Sequence, residues 1–232
     1  MKKESIASGA RRINIPDCVL PVLKKDTNQQ RVCGIIGEFI EGFNFIGEID
    51  KAITIFGSAR IAQDTIHYQQ AKELAGLLAK EKITVITGGG PGIMEAANQG
   101  AFLAKGESIG VNIQIPKHQP SNVYATKSIT FRHFYARKLM MVAASFGYVF
   151  FPGGFGTLDE FFEIMNLAET QELGRTPLIV VVGKDYWEPL FDWLKTNVAK
   201  KHASINVEDL DVIQIADSAD EAMDIIKRAM SS

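Results

Sequence analysis

The sequence predicts an α/β protein with a Rossmann-like, doubly wound parallel sheet, arranged as a three-layer αβα sandwich. Short apolar strands alternate with helical stretches from about residue 50 to the end of the sequence. The strands are continuously apolar, as expected for a parallel sheet buried on both faces, and right-handed crossovers would place helices on each side. With 232 residues, 46% of them hydrophobic and 22% charged, the chain can bury such a core.

The first part of the sequence lies outside this alternation. Residues 1–27 are polar and without a sustained period, which predicts an irregular arm. From residue 28 to residue 48, apolar residues recur at helical spacing and predict a helix. They are Val32, Ile35, Ile36, Phe39, Ile40 and Phe43. We therefore divide the chain into an N-terminal arm and helix, residues 1–49, and a Rossmann-like domain, residues 50–232.

The alternation itself gives the order of the remaining elements. Strands are predicted at residues 52–56, 83–86, 109–115, 129–131, 148–151, 178–182 and 212–215. Helices are predicted at residues 93–104, 134–145, 158–171, 186–199 and 218–230, with a loop at residues 116–124. A further helix follows Asp64, a candidate N-cap, and its apolar stripe consists of Tyr68, Ala71, Leu74, Ala75 and Leu78.

The charge distribution indicates an anionic ligand. The net charge is only −2, which gives no general reason to expect nucleic acid or an anionic membrane as a partner. However, no acidic residue occurs between Glu107 and Asp159. The basic residues of this window are Lys117, Lys127, Arg132, Arg137 and Lys138. An acid-free window in an otherwise acidic protein predicts that an anion is held locally.

Several other classes of protein are disfavoured by the sequence. Cys18 and Cys33 cannot form a disulfide framework, and the four scattered histidines have no metal-binding spacing, so no metal is expected. The charged N-terminus lacks the apolar segment of a signal peptide. No apolar run approaches the roughly 18 residues of a membrane span. We expect a soluble, cytoplasmic protein that needs no cofactor.

Two glycine-rich loops follow strands and are candidates for binding an anion. The first, Thr87–Gly92, contains Gly88, Gly89 and Gly90 and precedes a helix, so its backbone N–H groups could approach a phosphate. Its spacing fits neither the dinucleotide fingerprint nor the Walker A loop. A tight strand-to-helix turn without a ligand is the alternative interpretation.

The second loop, Pro152–Glu160, has the same glycine-rich character and adds a hydroxyl and a carboxylate. Gly153, Gly154 and Gly156 would bring backbone close to a ligand, and Thr157 would open the following helix. Thr157 and Glu160 also match the Thr-x-x-Glu capping box, in which the glutamate only returns to the N-cap amide. The sequence leaves the capping role and a functional carboxylate equally open.

A third candidate lies inside the acid-free window. The segment Phe131–Leu139 contains Arg132, Arg137 and Lys138, and a guanidinium suits a phosphate or a carboxylate. A solvated helix face is the alternative interpretation, but the helix becomes apolar after Lys138, which favours burial of Arg137. The segment Ser58-Ala59-Arg60, after the first strand, is a further candidate at the same sheet edge, with a plain turn as the favoured alternative.

Three of these segments together resemble the LOG (Lonely Guy) family over about residues 50–230. They are Gly88–Glu95, Arg137-Lys138, and Pro152–Glu160 with the family signature PGGxGTxxE. The resemblance implies a homodimer that hydrolyses the N-glycosidic bond of nucleoside 5′-monophosphates, such as cytokinin riboside monophosphates or AMP. It also implies that Arg137 and Glu160 are the essential Arg and Glu, and that the phosphate loop consists of Gly153, Gly154, Gly156 and Thr157.

The chemistry implied by the family is consistent with these residues. Cleavage of an N-glycoside passes through an oxocarbenium-like state, which a carboxylate such as Glu160 would stabilise while it orients or deprotonates water. Glu95 and Asp159 are the available second acids, although Glu95 could serve only the helix dipole. Relatives often carry the label lysine decarboxylase, but no lysine here stands in a recognisable pyridoxal-phosphate setting.

Two rival functions share the predicted fold. A non-catalytic nucleotide or cofactor carrier, such as a molybdenum-cofactor carrier, would keep the glycine loops without using Arg137 and Glu160. A nucleotide-sensing regulator would bind without turnover.

The sequence also predicts at least a dimer. The consecutive apolar residues Leu139–Val142 point to all sides of their helix, and one face of a sheet cannot cover them all. Phe39, Phe43 and Phe45 of the preceding helix add apolar surface that a second subunit could cover.

Overall fold

A parallel sheet runs through the protein in the computed structural model, which describes residues 10–11, 27–114 and 121–231. Its strands are β1 (Ala10–Arg11), β2 (Ala52–Phe56), β3 (Thr84–Thr87), β4 (Ser108–Ile113), β5 (Lys127–Phe131), β6 (Gly147–Phe150), β7 (Leu178–Val182) and β8 (Ile213–Ala216). Within the described residues the strand order is β1-β5-β4-β3-β2-β6-β7-β8, and every neighbouring pair is parallel.

Helices cover both faces of the sheet. They are α1 (Thr27–Ile46), α2 (Ile66–Lys80), α3 (Ile93–Leu103), α4 (Phe134–Ala143), α5 (Phe155–Glu169), α6 (Lys184–Trp193) and α7 (Ala219–Met230). A π-helical stretch, Leu194–Lys201, continues α6. One core cluster joins α2, α3 and α7 to the sheet, and the other joins α1, α4, α5 and α6 to its opposite face. The prediction of a doubly wound three-layer sandwich is therefore confirmed.

The direction in which strands are added to the sheet reverses between β2 and β6, and a ligand site is expected at this point. From β2 the sheet grows through β3, β4 and β5 in one direction and through β6, β7 and β8 in the other. In such sheets the crevice between the diverging loops, outside the carboxyl ends of the strands, is the place where ligands bind. Here those loops follow β2 and β6.

Two predicted helix starts are wrong. The N-cap of α2 is Thr65 rather than Asp64, because Thr65 has extended backbone angles and its hydroxyl accepts a hydrogen bond from the Tyr68 amide at 3.3 Å. Helix α5 begins at Phe155, so Thr157 is its third residue and does not open it. The predicted apolar stripe of α2 is confirmed, since every member is buried.

The N-terminal part is more closely joined to the sheet than its composition indicates. Ala10 and Arg11 pair in parallel with Ser128 and Ile129 of β5, although the arm is predicted to be irregular. Helix α1 packs on α4 so closely that a Cβ at Gly42 would stand 2.6 Å from the sulfur of Met140.

Because α1 covers α4, part of the predicted dimer surface lies inside the chain. Met140, Met141 and Val142 are all buried, and only Leu139 of that run is exposed. One exposed apolar stripe lies along α1 itself, at Val32, Ile36, Ile40 and Phe43. The predicted loop at residues 116–124 and Cys18 fall wholly or partly outside the described residues.

Candidate active site

A cleft of about 670 Å³ lies where the strand order reverses. The loop after β2, residues 57–60, forms one wall, and the first turn of α5, residues 154–158, forms the other. Arg137 and Glu160 project into the cleft from α4 and α5. Ser58, Gly154, Gly156 and Thr157 also line it, so six of the predicted site residues come together here.

Arg137 is the buried cation of this cleft. Its side chain is held by a hydrogen bond from Nε to the carbonyl of Val111 at 2.8 Å, and the residue is only 7% exposed. On its other side stands Gly88, where a Cβ would overlap the guanidinium. Burial lowers the pKa of Arg137, and the Glu160 charge opposes that shift. The solvated-face interpretation of this helix is therefore wrong for Arg137.

Glu160 faces this guanidinium from the second turn of α5. Its Oε1 lies 3.5 Å from Nη1 of Arg137. Burial raises the pKa of the Glu160 carboxyl to about 7, against the lowering effect of Arg137 and Lys138. A carboxyl group that is half-ionised near neutral pH is suited to exchange a proton with a reacting molecule.

The capping-box interpretation of Glu160 is wrong. The N-cap of α5 is Gly154, and no side chain caps this helix. Thr157 instead turns inward, where it is buried against Gly153 so closely that a Cβ at Gly153 would overlap its hydroxyl. Glu160 lies six residues beyond the N-cap and pairs with Arg137. The carboxylate is thus left for a role in the cleft.

The start of α5 presents backbone N–H groups to the same cleft. The first N–H groups of any helix lack an intrahelical acceptor, and the helix dipole makes this end attractive to anions. Gly154 and Gly156 meet no atom within 4 Å at the position of a Cβ, so the backbone here is open to a ligand. Phe155 between them is 94% exposed, an unusual position for an aromatic ring.

The first glycine loop lies behind the cleft and does not line it. Gly88, Gly89 and Gly90 are buried and tied to the protein: the Gly89 amide donates to the Thr87 hydroxyl at 2.9 Å, and Asn122 donates to the Gly90 carbonyl at 3.0 Å. Gly89 has φ +70°, a conformation that favours glycine. This loop shapes the site by making room for Arg137.

The remaining predicted site residues have other partners. Lys138 binds Asp159 at 2.8 Å and Glu163 at 3.1 Å. Burial lowers the pKa of Lys138, but the hydrogen bonds and charges of those two acids outweigh it, so the net shift is upward. Glu95 accepts a hydrogen bond from Gln63 at 3.3 Å. Neither Lys138 nor Glu95 lines the cleft.

The acid-free window is therefore less positive in space than in sequence. Lys127 pairs with Glu107 at 2.8 Å, and Lys138 pairs with Asp159, so the two acids that bound the window neutralise two of its cations. Arg137 is the cation of the window that lines the cleft. Within the cleft, Arg137 and the start of α5 are groups suited to bind an anion.

Some lining residues were not singled out from the sequence. Gly57, Met94 and Ile113 line the cleft, as does Phe155. Gly57 follows β2 and Ile113 ends β4, positions that could have identified them, whereas Met94 gives no such signal. Within residues 10–11, 27–114 and 121–231, no three His, Cys, Asp or Glu side chains cluster as a metal site would require. None of the described helices is long and apolar enough to cross a membrane.

The chain is similar to a known family and to proteins of known activity. A family model described as "Possible lysine decarboxylase" matches residues 94–226. The chain is 24% identical over 148 residues to the cytokinin riboside 5′-monophosphate phosphoribohydrolase of Rhodococcoides fascians, covering 62% of this chain and 74% of that protein. It is 25% identical over 200 residues to the pyrimidine/purine nucleotide 5′-monophosphate nucleosidase of Escherichia coli K12, covering 78% of this chain but only 43% of that protein.

Solved structures share the fold. A molybdenum cofactor binding protein from Rippkaea orientalis superposes with a TM-score of 0.57 at 23% identity, covering 77% of this chain and 95% of that one. The molybdenum cofactor carrier protein of Chlamydomonas reinhardtii gives a TM-score of 0.58 at 20% identity, covering 79% and 99%. At such identities the similarity shows the fold alone.

Proposed function

The chain belongs to the LOG family, whose model is the one described as "Possible lysine decarboxylase", and from this membership we propose that it hydrolyses the N-glycosidic bond of nucleoside 5′-monophosphates. The products would be a free base and ribose 5-phosphate. The observation that carries the proposal is the buried pair of Arg137 and Glu160, 3.5 Å apart, beside the uncapped start of α5 in one cleft.

The start of α5 is the proposed phosphate site. Gly154, Gly156 and Thr157 line the cleft here, and Gly153, which does not, packs against Thr157. An anion at this helix start would be stabilised by the free N–H groups and by the helix dipole. Arg137 supplies a buried positive charge in the same cleft, and Arg60 also lines it. A phosphate held here would fix the ribose of the nucleotide against the second turn of α5, where Glu160 stands.

Glu160 is the proposed catalytic carboxylate. As the bond between C1′ and the base nitrogen breaks, its electrons leave with the base and positive charge develops on the ribose. The Glu160 carboxylate stabilises this charge and takes a proton from the water whose oxygen bonds to C1′. Because Glu95 and Asp159 do not line the cleft, we propose that the departing base takes its proton from solvent.

The family description names a lysine decarboxylase, an activity that would require pyridoxal phosphate, and the site does not fit that cofactor. A lysine that forms a Schiff base must lose its proton, which requires a lowered pKa. Lys138, the lysine next to Arg137 in the chain, is held by two carboxylates that raise its pKa. We therefore propose a hydrolase that needs neither this cofactor nor a metal.

The rival proposal is a nucleotide or cofactor carrier on the same fold. Two of the structures that share the fold are molybdenum cofactor proteins. A carrier would bind its ligand without turnover and would have no use for a carboxyl with a pKa near 7. A regulator that senses nucleotides makes the same prediction of binding without turnover.

The deciding experiment is a screen of nucleoside 5′-monophosphates for released base by chromatography, with ribose 5-phosphate followed by a reducing-sugar assay. We expect cleavage of AMP or of a cytokinin riboside monophosphate, and much slower cleavage of adenosine, which lacks the phosphate. Cleavage should survive EDTA. Binding of a monophosphate without release of base would favour the carrier. A homodimer and a cytoplasmic location remain predictions.

A further inference from the structure

A carboxylate outside the cleft holds the start of the helix that carries Arg137. Glu38 lies on α1 and is only 3% exposed. Its Oε1 accepts the Arg132 amide at 2.9 Å, and its Oε2 accepts the His133 amide at 3.2 Å. The Nδ1 atom of His133 lies 3.1 Å from the same Oε2. One buried side chain thus contacts three polar groups that precede α4.

Helix α4 has no cap from its own sequence. Its N-cap residue, His133, makes no side-chain capping hydrogen bond, and its first turn contains no acidic residue. In a capping box, a glutamate three residues into the helix accepts the N-cap amide. Glu38 performs that task from a different helix, and its charge also complements the positive end of the α4 dipole.

The capped turn leads directly to Arg137. The Arg137 amide donates to the His133 carbonyl at 3.2 Å, so the position of His133 sets the position of the Arg137 backbone. The side chain then has to pass Gly88 and reach the Val111 carbonyl before it meets Glu160. In so confined a space, a small shift of the first turn of α4 moves the guanidinium away from the carboxylate.

We propose that Glu38 is a positioning residue, which caps α4 from α1 and thereby holds Arg137 against Glu160. The proposal rests on the proposed function for its catalytic consequence. Glu38 lies outside residues 94–226, the part of the chain that matches the family model. Helix α1 thus acts as a support for the site, and it holds α4 at a second point where Gly42 meets Met140.

The charge state of Glu160 provides a readout that a purely structural role of Glu38 would not change. Arg137 and Lys138 on α4 lower the pKa of Glu160, whereas burial and the neighbouring Asp159 and Glu163 raise it. If α4 loses its cap and Arg137 moves away, the balance shifts toward the protonated form. The pKa of Glu160 should then rise by up to about 1 unit, since a nearby opposite charge is worth 1–3 units.

The variant to use is Glu38→Gln. Its amide oxygen can still accept one backbone N–H, but its NH₂ group would face a second N–H donor and the charge is lost. Glu41→Gln is the matched control, because Glu41 is a half-buried acid one turn further along the same helix. Glu160 is titrated by carbon NMR of labelled glutamate carboxyls without substrate, and its signal is identified by its loss in Glu160→Gln.

We expect a higher Glu160 pKa in Glu38→Gln, an unchanged one in Glu41→Gln, and a fall in kcat of roughly 10- to 100-fold in the first variant alone. A folded Glu38→Gln protein with an unchanged Glu160 titration would overturn the proposal. If Glu38→Gln does not fold, Glu38→Asp carries the test, with a smaller rise expected and no rise contradicting it. Because the titration needs no turnover, it stays informative if the nucleosidase assay fails.

Discussion

The guanidinium of Arg137 and the carboxylate of Glu160 face each other at 3.5 Å from two different helices, each placed by a separate crossover of the sheet. The two charges are unequal in their response to burial. Arg137 stays charged because its reference pKa is far above neutrality, whereas the pKa of Glu160 rises to about 7. The pair is therefore a fixed cation beside a carboxyl that titrates near physiological pH.

The first prediction concerns the pH dependence of hydrolysis. If Glu160 acts as a carboxylate, kcat/KM should rise with pH and level off above about pH 7, because kcat/KM reports the ionisation of the free enzyme. The substrate phosphate also titrates, near pH 6, so the profile of Glu160→Gln serves as the control that keeps only that second ionisation. A wild-type profile that matches the control would contradict the assignment.

The second prediction is the effect of Glu160→Gln on turnover. The change keeps the size of the side chain but removes the charge that stabilises the ribose cation. We expect kcat to fall by about 10²–10³ with little change in KM, because the stabilisation is made in the transition state. A Michaelis curve above pH 7 measures it. Near-wild-type kcat would return Glu160 to a structural role and remove the basis of the mechanism.

The second prediction extends from turnover to the stability of Glu160→Gln. Glu160 has a folded-state pKa raised from its usual 4.5 to about 7. Its contribution is therefore fully present below about pH 4.5 and is lost as pH rises through 7, at no more than about 1.4 kcal/mol per pH unit. Glu160→Gln lacks this loss, so its stability relative to wild type should increase from pH 5 to pH 8. Denaturant melts at the two pH values test the sign.

The third prediction separates the two arginines of the acid-free window. Arg137→Ala should lower kcat/KM by roughly 10²–10³ and raise KM as well, because a phosphate partner acts in the ground state too. Arg132→Ala is the control, since that side chain is exposed and does not line the cleft. Equal losses in both variants would indicate that general positive charge, rather than the buried guanidinium, attracts the substrate.

The fourth prediction tests whether the first glycine loop makes room for Arg137. In Gly88→Ala the new methyl group would overlap the guanidinium and approach the sulfur of Met94. We expect a loss of about 1–3 kcal/mol in unfolding free energy together with reduced kcat. Gly34→Ala on α1 meets no atom within 4 Å and should leave activity unchanged. Full activity in Gly88→Ala would show that Arg137 tolerates displacement.

The fifth prediction concerns the oligomeric state. Four apolar side chains on one side of α1 are between 39% and 53% exposed: Val32, Ile36, Ile40 and Phe43. Such a stripe indicates an interface, so light scattering should give at least twice the monomer mass. The double variant Ile36→Lys, Ile40→Lys should reduce it, and Ile66→Lys, an exposed isoleucine on α2, should not. A monomeric wild type would contradict the prediction.

The sequence by itself determined the fold class, and its resemblance to the LOG family singled out Arg137 and Glu160 as the expected central pair. Continuously apolar strands can be buried only between two helical layers, so the alternation of strands and helices defines the sandwich. Glycine-rich segments at strand ends, together with Arg137 and Glu160, indicated the site before any distance was known. The alternation and the glycine-rich segments can be read from residues that are close in the sequence, so no long-range contact was needed to identify them.

Only the tertiary structure decided the role of each group. Thr-x-x-Glu is compatible with a capping box. The structure excludes that box because α5 begins at Phe155, so Thr157 lies inside the helix and cannot be its N-cap. In the sequence Lys138 has no acidic neighbour, whereas in the structure it forms ion pairs with Asp159 and Glu163 of α5. Glu38 gave no signal at all, because its partners Arg132 and His133, just before α4, are nearly a hundred residues away in the sequence.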